Sequence, residues 1–387
     1  MTLIKQTILK GGLASAALLT AVSAQSVTIG TFNNTTVKIG GYVKLDAMFS
    51  DFSDGPVPSS SARDFYVPSA TPVAATTTNS NTYFDMHAKQ TRVHLATDSK
   101  VDGKKLKSYI EIDFMTMTNG TEVATNGFSP ELRHAYIEYD KWLFGQTWST
   151  FQNTASLPES VDFIGNTDAG IFVRQAQVRY TRGPWQFSIE NPETTVAGVG
   201  ATDDNELPDF VARYNLKHND LSLAIAGLLR QLTMNDGGNI NDSATAWGIG
   251  ITGKYMIGKD DIRFGLNAGG GLGRYIGLGV SSDAAVDSNN NLEAIDSLGL
   301  FASWRHLWNQ KLRSNFMFST IDIDNNTNLS GIGGGTTTGT YSGRANLLFD
   351  LAKNLTIGGE LALANREVES GNDGDLTRLQ FMAMYKF

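Results

Sequence analysis

Alternation of apolar and polar residues recurs along this chain from residue 37 to its last residue. The segment 37–50, VKIGGYVKLDAMFS, places Val43 and Leu45 on one face and Lys44 and Asp46 on the other. This period of two is typical of a β-strand whose two faces have different surroundings. Sixteen segments follow the pattern, approximately 37–50, 83–97, 106–114, 131–140, 142–148, 172–181, 184–190, 209–216, 221–230, 245–256, 261–273, 297–306, 311–322, 341–350, 354–368 and 376–387.

The joins between these segments alternate in length. Joins after even-numbered segments are short turns, such as 140–141 and 182–183, whereas joins after odd-numbered segments are mostly long and rich in Gly, Asn, Thr and Asp. The long joins are 51–82, 115–130, 149–171, 191–208, 231–244, 274–296 and 323–340. Tight turns at one end and long loops at the other are typical of an outer-membrane barrel. We therefore predict an all-β, transmembrane, antiparallel up-and-down barrel of about sixteen strands.

The two faces of the segments differ as such a barrel requires. One face carries Val, Leu, Ile, Phe, Ala, Trp and Tyr, which suit lipid, and the other carries charged side chains. A barrel of this size encloses more space than side chains fill, so the charged face lines a water-filled lumen. Aromatic residues near the segment ends suit girdles at the two membrane interfaces. These aromatic residues are Tyr180, Trp185, Tyr214, Trp304, Tyr341 and Tyr385.

Composition excludes several other classes of protein. Hydrophobic residues make up 41% of the 387 residues. Beyond the N-terminus, no apolar run approaches the ~20 residues of a spanning helix. The formal net charge of −8 argues against a nucleic-acid partner, which requires a basic face. The chain has no cysteine, which excludes disulfides, thiolate metal sites and thiol nucleophiles.

The N-terminus has the layout of a secretory signal peptide. Lys5 and Lys10 precede the apolar run 13–22, and small residues follow at 23–24. We predict a signal peptide over 1–24, a barrel domain over 25–387 and export to the bacterial outer membrane. The alternative is an N-terminal amphipathic helix. Loss of Lys5 and Lys10 takes the formal net charge from −8 to −10.

The join 149–171 is a candidate constriction. Its apolar residues Leu157 and Val161 favour packing over a loose external loop, so we predict that it folds into the lumen and narrows it. Its acids are Glu159, Asp162 and Asp168. Acids on an inserted loop opposite bases on the wall set up a transverse field that orients charged solutes.

The charged face of the segments favours a mildly cationic wall, with nine bases against six acids. A register slip of one residue reverses the contribution of a strand, and each arginine has the alternative role of structural partner to a carboxylate. The bases are Lys44, Arg92, Lys107, Arg179, Arg213, Arg263, Arg305, Arg344 and Arg378, and the acids are Asp46, Glu111, Asp113, Glu138, Glu190 and Glu360.

Several stretches of the chain resemble the DcaP-like family of outer-membrane porins. They are IGGYVKLDAMFSDFSDG (39–55), WLFGQTWSTF (142–151), LPESVDF (157–163), RQAQVRY (174–180) and SIENPET (188–194). The terminal Phe387, which follows Met384, Tyr385 and Lys386, resembles the C-terminal assembly signal of outer-membrane barrels. Some relatives carry a heptad-rich segment before the barrel, whereas 25–36 in this chain has no heptads.

The resemblance implies a homotrimeric diffusion channel that passes small hydrophilic solutes and favours small anions such as dicarboxylates. It also implies contact with outer-membrane lipid and lipopolysaccharide, and it places family pore arginines at Arg92, Arg174 and Arg179. The candidate pore and constriction residues are Arg92, Arg174, Arg179, Arg213, Arg263, Arg344, Lys44, Glu159, Asp162 and Asp168.

The hypothesis of an enzymatic function has little support, because the chain lacks G-x-S-x-G and H-E-x-x-H motifs. We expect no catalysis, no cofactor and no resident metal. Residues 322–326 suit either a calcium loop or an ordinary turn, and turn chemistry is favoured. The alternatives to an open porin are a channel with a defined binding site, a barrel enzyme with Ser or Asp near His at one rim, and a secreted adhesin without a lipid-facing belt.

Overall fold

Sixteen antiparallel strands close into one barrel, so the predicted fold class is confirmed. The computed structural model describes residues 26–59, 61–76, 79–116, 120–238 and 240–387, and the predicted signal peptide lies outside these. The strands are β1 (Thr35–Phe52), β2a (Asn81–His87) and β2b (Arg92–Val101), β3 (Lys104–Asp113), β4 (Glu131–Tyr139), β5 (Trp142–Trp148), β6 (Arg174–Arg182), β7 (Trp185–Glu190), β8 (Asp209–His218), β9 (Leu221–Asn235), β10 (Asn241–Ile257), β11 (Asp260–Gly270), β12 (Asp296–Leu307), β13 (Leu312–Asp324), β14 (Thr337–Ala352), β15 (Leu355–Val368) and β16 (Asp373–Lys386).

The barrel closes where β1 pairs with β16, from Tyr42↔Lys386 to Phe52↔Leu376. Phe387 extends this seam, because its N–H donates to the carbonyl of Gly41 at 3.1 Å and its own carbonyl accepts from Gly41 at 3.2 Å. Closure gives each of the sixteen barrel strands two neighbours, so the barrel itself has no open edge facing lipid.

Two details of the strand prediction are wrong. The join predicted over 231–244 is only 236–240, because residues 231–235 continue the ladder by pairing with 241–245. The second segment is divided into β2a and β2b, and both parts pair with β1. A further strand, Ser26–Phe32, was not predicted; it pairs with the start of β1 through a turn at Asn33 and Asn34.

The outward face of the barrel is apolar along its whole circumference. Ile249, Leu347 and Phe381 are 45 to 49% exposed, as expected of side chains that face lipid. Trp142 packs on Tyr180 with ring centroids 4.7 Å apart at the short-turn end, where an aromatic girdle was predicted. Among the described residues, no helix is long and apolar enough to cross a membrane.

Four long loops fold into the lumen: loop 1 (53–80), loop 3 (149–173), loop 4 (191–208) and loop 6 (271–295). Insertion of loop 3 was predicted, and insertion of the other three was not. Loops 4 and 6 share a four-stranded sheet made of Thr194–Val196, Gly200–Thr202, Ala284–Val286 and Leu292–Ala294. Phe151, Ala197 and Tyr275, one residue from each of loops 3, 4 and 6, lie in one buried apolar cluster. The apolar core therefore lies inside the barrel, in the half nearer the long loops.

Candidate functional site

Loop 3 crosses the lumen and is fixed on both sides. Where it leaves the wall, the N–H of Ser149 donates to the carbonyl of Val173 at 3.0 Å. Further along, Asn153 Nδ2 donates to Thr252 Oγ1 on β10 at 3.0 Å, and the N–H of Val161 donates to Glu360 on β15 at 2.9 Å. A segment tied to both β10 and β15 narrows the path that remains for solutes.

Asp162 anchors loop 3 to β14. Its Oδ2 accepts from Nη1 of Arg344 at 2.7 Å and from the N–H of Tyr66 in loop 1 at 3.2 Å. Burial alone would raise the pKa of Asp162, but the guanidinium groups of Arg344 and Arg378 hold it below its ordinary value. Asp162 therefore stays ionised and joins two loops to the wall.

Asp168 makes a second anchor from hydroxyl groups. Its Oδ1 accepts from Tyr66 Oη at 2.8 Å and from Thr340 Oγ1 at 2.7 Å, and its Oδ2 accepts from Ser342 Oγ. Burial raises the pKa of this fully enclosed carboxyl above its ordinary value, although the hydroxyl donors act in the opposite direction. This site joins loop 3, loop 1 and β14.

Glu159 and Lys44 complete the attachment of loop 3. Glu159 accepts from Nη2 and Nε of Arg313 at 2.7 and 2.8 Å in a bidentate pair. On the opposite side, Lys44 Nζ donates to the carbonyl of Val161 at 2.6 Å and lies 3.0 Å from Asp46. The three acids of the loop are therefore bound to the wall, and they do not form the row of free charges expected across the gap.

Three predicted pore arginines bind main-chain carbonyls of loop 3 or of Trp148, the last residue of β5 before it. Arg179 Nη2 donates to the carbonyl of Trp148 at 2.6 Å, and Arg213 Nη1 donates to that of Gln152 at 2.7 Å. Arg263 Nη1 donates to the carbonyl of Leu157. These bonds use carbonyl oxygens, so the positive charges of Arg179 and Arg213 are not neutralised by a direct carboxylate partner among the described residues.

A basic sector lies on the wall between loop 3 and the short-turn end. We define it as Lys254, Arg263 and Arg305, which surround the buried Asp261. Asp261 lies 3.5 Å from Lys254, 2.8 Å from Arg263 and 2.6 Å from Arg305. The side chains of Lys254 and Arg305 remain 28% and 25% exposed. Three cations around one anion leave a net positive charge on an accessible part of the lumen wall.

A network of paired charges occupies β2b, β3 and β4. Asp113 Oδ2 lies 3.2 Å from Arg92 Nη2 and 2.7 Å from Arg133 Nη1, and Glu111 Oε1 lies 2.9 Å from Arg133 Nε. Arg133 was missed because the ladder shifts register between Glu111 and Ile112, and this bulge breaks the alternation. Two arginines and two acids balance each other in this network.

Arg174 extends the network to the start of β6. Its Nη2 lies 2.6 Å from Glu131 Oε1, and its guanidinium lies 5.0 Å from the ring of Trp148. Its buried Nη1 and the Nε of Arg92 have no hydrogen-bond partner among the described residues. Both atoms are enclosed, and Arg92 Nε lies 3.5 Å from Glu111 Oε1, so a solute reaches them only if the neighbouring side chains move.

The ten candidate residues thus form three groups. Glu159, Asp162 and Asp168 belong to loop 3, and Arg92 and Arg174 belong to the paired network. The bases that bind loop 3 are Lys44, Arg179, Arg213, Arg263 and Arg344. Sequence reasoning did not name Tyr66, Arg133, Lys254 or Arg313 as site residues, and it named Arg305 only as a wall base.

The described residues contain no group of His, Asp and Glu side chains able to hold a metal ion. In the suspected calcium loop, Asn325 Nδ2 donates to the carbonyl of Thr337 at 2.8 Å, and Asn326 Oδ1 accepts from the N–H of Asn328 at 3.1 Å. These contacts are those of an ordinary turn.

The chain matches the family model of the DcaP outer membrane protein over residues 11–387. The chain belongs to the DcaP family of outer membrane proteins. The family places the barrel in the bacterial outer membrane, so its short turns lie on the periplasmic side and its long loops lie on the extracellular side. No curated protein matches the chain.

Solved structures show the same fold at low sequence identity. The outer membrane channel DcaP of Acinetobacter baumannii matches with a TM-score of 0.78 and 22% identity, over 93% of this chain and 100% of that chain. The trimer form of OmpT, an outer membrane protein of Vibrio cholerae, matches with a TM-score of 0.55 and 12% identity, over 92% and 100%. OmpF of Salmonella typhi, in complex with daunomycin, matches with a TM-score of 0.53 and 10% identity, over 94% of this chain and 100% of that chain.

Proposed function

We propose that this chain forms a homotrimeric, water-filled diffusion channel for small hydrophilic solutes that favours small anions, dicarboxylates among them. Membership of the DcaP family and the likeness to a solved outer membrane channel support transport. The basic sector carries the anion preference, because three cations surround only one acid on an accessible wall. The low-dielectric walls of the barrel focus the electric field of these cations into the lumen.

Dicarboxylates fit this arrangement because guanidinium groups bind carboxylates through charge-assisted hydrogen bonds. A dianion can contact two bases of the sector at once. The homotrimer is supported by the resemblance and by a structural relative solved in a trimer form. The apolar outward face supplies the contact with lipid and with the acyl chains of lipopolysaccharide.

Recording from the refolded protein in a planar bilayer tests this proposal. We expect discrete conductance steps, and we expect succinate to reduce chloride current more than propionate does, because succinate carries two carboxylates. A bilayer without discrete steps contradicts the channel. Equal effects of succinate and propionate contradict the dicarboxylate preference while leaving the channel intact.

A channel with a defined binding site is the second candidate. Arg92 and Arg174 favour it, because each has an enclosed guanidinium N–H that makes no hydrogen bond within the described residues. Current that saturates with succinate concentration in the wild type, and no longer does so in Arg174→Gln, supports a binding site. Linear dependence in both proteins supports simple diffusion.

We propose that the chain is a channel without enzymatic activity. At the periplasmic rim, His306 Nδ1 lies 2.7 Å from Asp260 Oδ2, and Ser314 faces His306 in the ladder. The hydroxyl of Ser314 accepts from Trp308 Nε1 at 2.9 Å and is buried, and no hydrogen bond joins it to His306 in the described part of the chain. Hydrolysis of a phospholipid or ester that is lost in His306→Ala would contradict this proposal.

A further inference from the structure

A four-stranded sheet continues the barrel wall on the periplasmic side, beyond the end of β16. The ladder between β1 and β16 begins at Tyr42, and the earlier residues of β1 pair with the N-terminal strand on one side and with β2b on the other. β2b pairs with β3 as far as the turn at 102–103. We call this extension the periplasmic sheet; it consists of residues 26–32, 35–39, 95–101 and 104–110.

The two faces of the periplasmic sheet differ, as the two faces of the barrel wall do. Neither ladder of β2b shifts register, so the alternation continues from the membrane into the sheet. Ile39 and Leu95 lie on the outward face and are exposed. Lys38 lies four residues from Tyr42, which is buried inside the barrel, and therefore shares the lumen face. The bases on that face are Lys38, Lys100, Lys105 and Lys107, and the acid among them is Asp98.

Only two of these four lysines have acidic partners. Lys38 Nζ lies 2.5 Å from Asp98 Oδ2, and Lys107 Nζ lies 3.5 Å from Glu138 Oε2 on β4. Lys100 and Lys105 form no ion pair within the part of the chain that the structure describes. The cluster therefore has a net positive charge that the wall does not balance.

The placement of Lys100 and Lys105 is unfavourable for the sheet itself. They are register partners at the end of the β2b–β3 hairpin. Directly opposed side chains have Cβ atoms about 5 Å apart, and like charges in such a pair destabilise the sheet. A structural role would favour opposite charges at these two positions. The pair of ammonium groups instead points to an anion that binds between them.

An open cavity of about 650 Å³ lies beside this pair of lysines. Asp98, Ser99, Lys100 and Lys105 line it, together with Asn34 from the turn between the N-terminal strand and β1. A cavity of this size is in the range of small-molecule sites. Each ammonium group supplies three hydrogen-bond donors and no acceptor, so the chemistry of the cavity favours carboxylates and phosphates.

We propose that the periplasmic sheet carries a binding site for small dianions, in which Lys100 and Lys105 each contact one anionic group. A small solute fits better than an anionic polymer, because these lysines lie on the lumen face and not on the outward face. The site is separate from the basic sector and raises the local concentration of anions at the periplasmic mouth. That its ligands are the transported anions rests on the function proposed above.

Fluorescence quenching tests this site, because a chain without cysteine accepts a single label. A dye is attached at Thr31→Cys, since Thr31 is exposed and is the register partner of Thr36, which pairs in turn with Asp98. The matched control is Gln310→Cys, at an exposed residue of the turn between β12 and β13. In detergent at low salt, we expect iodide, relative to the neutral quencher acrylamide, to quench the Thr31 label several-fold more efficiently than the Gln310 label.

Succinate should remove this excess quenching at lower concentration than propionate does, because it carries two carboxylates. The double variant Lys100→Gln with Lys105→Gln should lose both the excess and the effect of succinate. Lys141→Gln with Lys217→Gln, at exposed residues of other periplasmic turns, should retain both. Equal iodide quenching of the two labels, or an undiminished effect of succinate in the Lys100 and Lys105 variant, would overturn the inference.

Two further measurements separate this site from its alternatives. Competition with iodide by soluble peptidoglycan fragments but not by succinate would overturn a site for small solutes. Conductance of the same labelled protein distinguishes the two proposals. Succinate-sensitive quenching without discrete conductance steps contradicts the channel and leaves the site standing. Conductance steps without any effect of succinate on quenching overturn the site and leave the channel standing.

Discussion

Asp162 and Arg344 lie 182 positions apart in the chain and form a buried ion pair with an O–N distance of 2.7 Å. Both side chains are almost fully enclosed, with 2% and 1% exposure. The pair fixes the inserted loop against β14, so it determines how much of the lumen stays open. A buried pair of this kind is costly to break, although Arg344 Nη1 also lies 3.5 Å from a second buried carboxylate, Glu360 Oε1.

Replacement of Asp162 by asparagine should destabilise the barrel and release loop 3. We expect Asp162→Asn to lower the free energy of unfolding by about 3 kcal/mol, the lower end of the range for removal of one partner of a buried pair, because Glu360 remains beside Arg344. Single-channel current should become noisier, since the loop loses one of its attachments to β14 while the bonds of Asp168 to Thr340 and Ser342 remain. Asp203→Asn, at an exposed acid in loop 4, is the control and should match the wild type. Unchanged stability and steady current in Asp162→Asn would refute the anchoring role.

The stabilisation from Asp162 should depend on pH with a defined sign. Its pKa is lower in the folded protein than the ordinary value, so the unfolded chain binds more protons as the pH falls. The stabilisation is complete above the unfolded pKa of about 4 and is lost as the pH falls through the folded pKa. Urea unfolding should therefore show that the free energy of unfolding of the wild type exceeds that of Asp162→Asn by a constant amount above about pH 5. This excess should shrink below about pH 4. A difference that grows on acidification would contradict this sign.

The hydroxyl of Tyr66 should couple loop 1 to loop 3. Tyr66→Phe removes one donor from the buried Asp168, and loss of a hydrogen bond to a buried acceptor costs about 1 to 3 kcal/mol. Protease cleavage within loop 1 should also become faster. Tyr341→Phe, at an outward tyrosine that is 46% exposed, is the matched control. Equal stability of the two variants would show that the hydroxyl of Tyr66 does not couple loop 1 to loop 3.

Neutralisation of the basic sector should weaken anion preference without closing the pore. We expect the double variant Lys254→Gln with Arg305→Gln to reduce the chloride-to-potassium permeability ratio by roughly twofold or more, because two of the three cations of the sector are removed. Lys353→Gln, at an exposed periplasmic turn, should leave the ratio unchanged. The same loss of selectivity in Lys353→Gln would point to surface charge in general.

The alternation in the sequence predicted the wall well, because period-two patterning follows directly from having lipid on one face and water on the other. It also placed Lys44, Arg179, Arg213 and Arg344 on the inner face. Boundaries were less accurate where polar residues continue a ladder beyond the membrane, as at Asn235 and Asn241. The part of a strand that extends beyond the lipid no longer needs an apolar face, so its sequence does not alternate between apolar and polar residues.

The partners within the lumen could not be predicted from the sequence. The Glu159–Arg313 contact joins residues 154 positions apart, and no local spacing encodes which wall base a loop acid reaches. Arg133 was missed for a different reason, since a bulge on β4 removes it from the expected alternation. The bases were recognisable as lumen residues, but their division into loop anchors and accessible charges required the three-dimensional arrangement.

The reversal potential of the wild-type channel in a KCl gradient tests the central claim most directly. The basic sector predicts a potential of the sign that reports greater permeability to chloride than to potassium. A zero potential, or one of the sign that reports potassium preference, would contradict the claim that this accessible cluster of bases controls which ions pass.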